Sequence, residues 1–71
     1  MKLGLQQLND LGFESHNPKV PHVFIAHVAD FEFTYDSEKN TMHMGLEDGN
    51  GCHVVKNLAE FKTLHDILTG L

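Results

Sequence analysis

The stretch "DSEKNTMHMGLE", residues 36 to 47, sets Asp36, Glu38, Asn40 and Glu47 at its first, third, fifth and twelfth positions. Those are oxygen-ligand positions of a calcium-binding helix-loop-helix, in which carboxylate and carbonyl oxygens surround a hard cation. Two other positions speak against that chemistry. Such a loop turns sharply on a glycine at position six and usually holds an apolar residue at position eight; here they are Thr41 and His43. The flanks also alternate like strands, not like helices. The acids read as a solvated turn.

Six histidines are the second chemical feature. A four-residue turn over 36–39 would set Tyr35 opposite Asn40, Phe33 opposite Met42 and Glu32 opposite His43. A three-residue turn over 47–49 would set Leu46 opposite Asn50, Met44 opposite Cys52 and His43 opposite His53. Directly opposed side chains lie about 5 Å apart at Cβ, so Glu32, His43 and His53 form the candidate set for a divalent metal. A flat row has no wall to hold its ligands, and the plainer reading is a polar sheet face. His22 and His27 differ in strand parity and cannot chelate together from one regular strand. His65 borders the apolar stripe of the last helix.

Nucleophiles are poorly placed for catalysis. The turn register puts Cys52 on the packed face against Met44, as an inert buried thiol. Ser15 and Ser37 fall in loops without a base and a group to orient it. The run "GLEDGNG" leads into a strand, so no glycine-rich loop opens a helix as a phosphate cradle. The residues imply no cofactor and no enzyme.

The elements that would carry these residues follow from periodicity. Leu5, Leu8 and Leu11 predict a short N-terminal helix, stopped at Gly12 with Phe13 folding back on Leu8. Pro18 and Pro21 exclude helix from "ESHNPKVP", which reads as loop. Residues 22–35 read as one long strand bent near His27, or as two strands. Residues 41–46 give the next strand and "CHVV" another. Asn57 and Glu60 form a capping box for a final helix whose stripe is Leu58, Phe61, Leu64, Leu68 and Leu71. The expectation is a single α+β domain over 1–71: helix, three-stranded (alternatively four-stranded) antiparallel meander, helix. Both helices are expected on one sheet face.

Composition narrows the function. A chain of 71 residues buries roughly 60% of its unfolded surface, so nearly every large apolar side chain must join one core. Ten acids against five lysines, with no arginine, give a formal charge of −5 and argue against direct nucleic-acid binding. Protonating all six histidines would carry that charge to +1. One cysteine excludes a disulfide framework and fits a cytoplasmic protein. No run approaches the roughly 20 apolar residues of a membrane span, and none has the form of a signal peptide.

One strand pattern leaves apolar residues without a home. If Val23 and Ile25 face the core, then Phe24, Ala26 and Val28 face away and form an exposed patch bordered by His22, Asp30 and Glu32. Apolar side chains with a polar rim mark partner surfaces. The competing reading buries 22–28 as a separate segment.

The succession "LNDLGFE", "DFEFTYD", a glycine-rich acidic turn and "VKNLAEFKTLHDILTGL" resembles small proteins encoded by phages and prophages. These pair a helix-sheet-helix layout with a similar "LTG" tail. The resemblance implies a phage-like origin, and its motifs are structural. The reading of function is a small acidic protein-protein interaction module, an inhibitor of a host enzyme or defence system acting in the host cytosol. Phe24, Ala26 and Val28, with Asp30, Glu32, Asp36, Glu38, Glu47 and Asp48, would meet a host or phage protein with a basic surface. The alternatives are a metal-binding or pH-responsive protein using the sheet-face histidines, and a structural homodimer.

Overall fold

The computed structural model describes residues 1–47 and 51–70. The element order is α1 (Leu5–Asp10), β1 (Glu14–Asn17), β2 (Val20–Val28), β3 (Phe31–Asp36), β4 (Thr41–Leu46), β5 (His53–Val55) and α2 (Leu58–Thr69). All strands pair antiparallel with their sequence neighbours, in the order β1-β2-β3-β4-β5. The class is α+β, with five strands among the described residues where the periodicity predicted three or four.

The two additional strands have identifiable causes. Within "ESHNPKVP", Asn17 pairs with Val20 across a Pro18–Lys19 turn. Proline presets the turn, and Asn17 Oδ1 accepts the Lys19 N–H at 2.9 Å. Pro21 sits in β2 ahead of the first β2–β3 pair, Val23 with Asp36, so no ladder bond to β3 is lost there. The long apolar run then folds in two at Ala29–Asp30, where Ala29 takes φ +55°.

α1 stops as its sequence requires. Gly12 adopts φ +91° and the Phe13 N–H donates to Leu8 O at 2.9 Å, the long bond of a Schellman stop. Leu8 is buried, whereas Leu5 is 74% exposed and lies outside the stripe expected of it. α2 begins at Asn57, whose Oδ1 accepts the Glu60 N–H at 2.8 Å. Phe61 is the buried centre of its stripe, while Leu58, Leu64 and Leu68 pack on the core as half-buried neighbours. Leu71 lies outside the described residues.

The core joins Leu3, Leu8 and Phe13 to the strand residues Phe24, Ala26, Val28, Phe33, Tyr35, Met42 and Val55, with Phe61 from α2. Rings organise its middle: Phe61 meets Phe33 edge-on at 5.0 Å and Phe13 at 5.5 Å. Each such aromatic contact adds about 0.5–1.5 kcal/mol beyond area burial. α2 lies against β2 and β5, and short α1 contributes Leu8 to the same cluster.

Tyr35 shows how a polar atom is accommodated there. Its ring is fully buried, and its hydroxyl accepts the Leu3 N–H at 3.0 Å while donating to Asn40 Oδ1 at 2.8 Å. Asn40 stands at φ +54°, a left-handed conformation that asparagine tolerates well.

Two sequence expectations fail here. Phe24, Ala26 and Val28 are core residues at 9%, 3% and 6% exposure, so they form no partner patch. The strand has the opposite parity: Val23 and Ile25 are half-buried and His27 exposed. Apolar residues occupy both parities of 23–28, so alternation could not choose between the faces.

Candidate functional site

The core, with Leu8 of α1 and Phe61 of α2, takes one face of the sheet, and none of the residues on the other face belongs to it. Register lays out that second face. One row crosses all five strands: Glu14, Ile25, Thr34, His43 and Val54. Beside it run His27, Glu32 and Gly45, and on the other side Val23, Asp36 and Thr41. The strands include carboxylates and imidazoles but no lysine. Lys19 and Lys39 stand in turns at the margin.

The expected metal row is not assembled. β3 and β4 pair two residues away from the predicted register: Thr34 opposes His43, and Glu32 opposes Gly45. An even shift preserves the faces, so Phe33, Tyr35, Met42 and Met44 still point inward together. β4 and β5 pair one residue away, with Val54 opposite His43 and His53 opposite Met44. An odd shift turns every β5 side chain over, which parts His53 from His43. Among the described residues, no three His, Cys, Asp or Glu side chains converge as a metal set. The same shift leaves Cys52 exposed instead of packed on Met44.

Freed from that row, His53 reaches across to α2, with Nε2 at 3.1 Å from Glu60 Oε1. The Lys56 N–H donates to the same oxygen at 3.1 Å. These interactions, the Lys56 amide first, hold the Glu60 carboxyl below its ordinary range. The expected capping box is therefore only half made, since the Glu60 carboxylate takes the Lys56 amide and not that of Asn57, and it ties the helix to β5 instead.

The acidic residues expected at a partner surface are spread around the sheet. Asp30 is exposed in the β2–β3 turn, and Glu32 is half-buried on the open face. Asp36 Oδ1 accepts the N–H groups of Glu38 and Lys39 at 2.9 and 3.1 Å. The Lys39 amide is the larger cause of its lowered carboxyl pKa, ahead of the Glu38 amide and the charge of His22. Glu38 lies 3.5 Å from His22 Nδ1, and Glu47 lies 3.2 Å from His27 Nδ1. Asp48 lies outside the described residues.

Sequence reasoning missed Glu14, Ile25, His27 and Val54 as members of one face. Recognising the Pro-Lys hairpin would have found Glu14. A second surface feature was missed as well. Phe31, Met44 and Leu46 border an open depression of about 350 Å³ with Cys52 and His53, where the inner sheet face continues beyond its packing. Leu46 is 40% exposed there.

Compared with protein-family models, with curated proteins and with solved structures, the chain finds no match. What its geometry defines is a small α+β domain with one packed and one open sheet face. No helix of the described residues is long and apolar enough to cross a membrane.

Proposed function

We propose that this protein is a small acidic binding module that covers a basic surface of another protein with its open sheet face. The observation that carries this reading is the face itself: Glu14, Glu32 and Asp36 project among Val23, Ile25, Thr34 and Val54, with no strand lysine to neutralise them. Antiparallel sheets often leave one face to water, so openness alone does not mark a site. The one-sided charge does more, because it favours Lys- and Arg-bearing partners and repels nucleic acid. Size is compatible: the molecule measures 33 × 25 × 18 Å, and a standard interface takes about 800 Å² from each partner.

Within this reading, the phage-like layout favours an inhibitor of a host enzyme or defence protein, acting by occlusion and not by chemistry. Paired capture from host lysate tests it, using the wild type, an Ile25→Lys/Thr34→Lys double variant and Lys62→Glu on α2. A specific partner held by the wild type and by Lys62→Glu, but released by the double variant, is expected. A partner indifferent to the double variant overturns the assignment of the face. Circular dichroism confirms that each variant is folded.

A further inference from the structure

We propose that the open sheet face is a proton-gated docking surface: it holds a lysine- or arginine-rich protein segment at neutral pH and releases it on mild acidification. This rests on the binding-module reading and adds its regulation. The gate consists of His16, His27 and His43, all exposed and all on or bordering that face. Imidazole is the side chain whose charge ordinarily changes between about pH 5 and 8.

His27 is the best-placed of the three. From β1, Glu14 and His16 share a surface depression with it, together with Ile25. From β3, Glu32 stands directly opposite, and Asp30 lies in the adjoining turn. From the end of β4, Glu47 Oε1 lies 3.2 Å from its Nδ1. His43 is flanked by Thr34 on β3 and Val54 on β5, with Glu32, Asp36 and Cys52 one diagonal step away. Permanent cations at the margin of the face are Lys19 and Lys39, each in a turn, and Lys56, two residues beyond Val54 and continuing the β5 register toward Thr41.

At neutral pH these carboxylates are available to a basic partner. Once protonated, His27 becomes an internal cation already in reach of Glu47 and facing Glu32. It then competes with the partner's ammonium or guanidinium groups for those oxygens. Protonated His16 and His43 add like-charge repulsion beside Glu14 and Thr34. The face loses most of its net negative charge without a change of fold, because the pairs join exposed side chains.

A soluble peptide of alternating lysine and threonine serves as the probe, titrated into isotopically labelled protein at low ionic strength. Expected shifts map to Ile25, His27, Glu32, Thr34 and His43, and affinity falls about tenfold between about pH 7.5 and pH 5.5. In a His16→Asn/His27→Asn/His43→Asn variant the loss is less than about threefold, whereas His65→Asn on α2 retains the full response. Equal affinity at both pH values overturns the gate and leaves the binding module standing. An undiminished loss in the triple variant also overturns it. Shifts confined to α2, or no binding at neutral pH, overturn the face and the gate together.

Discussion

The hydroxyl of Tyr35 donates to Asn40 Oδ1 at 2.8 Å while accepting the backbone N–H of Leu3 at 3.0 Å. One buried oxygen thus joins the segment before α1, the strand β3 and the turn that follows it. Tyr35→Phe keeps the ring packing but strips the Leu3 amide of its acceptor. The expected cost is about 1–3 kcal/mol, read as a lower urea midpoint at constant slope. An unmoved midpoint would mean that water replaces the hydroxyl.

Phe24→Asp tests the parity of β2. Phe24 faces Tyr35 across the ladder and belongs to the core. The substitution buries a carboxylate among rings, and so small a domain has only about 5–15 kcal/mol of stability to lose. An unfolded circular-dichroism spectrum at neutral pH is expected. A native spectrum would return Phe24 to the surface.

Ala29 should be improvable. It is exposed and held at φ +55°, where an alanine Cβ crowds the following carbonyl. Ala29→Asn is expected to stabilise the domain by up to about 1 kcal/mol, because asparagine visits this region more readily. A lower melting temperature would show that the turn tolerates alanine without strain.

Acid stability should depend on Asp36 and Glu60. Both carboxyls are held below their ordinary range, chiefly by the amides of Lys39 and Lys56 respectively. A lowered folded-state pKa contributes stability above the unfolded value, and that contribution disappears as pH falls through the folded value. Asp36→Asn and Glu60→Gln should therefore lower stability at neutral pH and flatten its decline below about pH 4. Chemical denaturation at stepped pH measures this. A wild-type slope retained in both variants would place the acid sensitivity elsewhere.

How much was legible depended on how many constraints each element carried. The Gly12 stop, the Asn57 cap and the α2 stripe were readable because local backbone chemistry and periodicity agreed. The β3–β4 partition into inner and outer residues survived a two-residue error in register, since even shifts preserve faces. β1 was hidden because "ESHN" is polar throughout and has no apolar alternation to betray an edge strand. The turn at Ala29–Asp30 was hidden because it lacks the Asn-Gly or Asp-Gly pair that marks such hairpins. The metal row failed twice: the two-residue β3–β4 shift took Glu32 from opposite His43, and one residue of β4–β5 register decided whether His53 joined His43 or Glu60. The polar face of β3 and β4 was legible, whereas its extension over β1, β2 and β5 was not.

The sequential order of the strands also bears on how the molecule assembles. Each strand meets only the one before it and the one after it, so every pairing closes a short loop. Hairpins can form in the order in which a ribosome releases them, without waiting for distant partners. α2 follows the strands in the chain, and its Phe61 meets both Phe33 of the sheet and Phe13 from the segment after α1. Topology of this kind shortens the interval in which a nascent chain exposes unpaired strand edges.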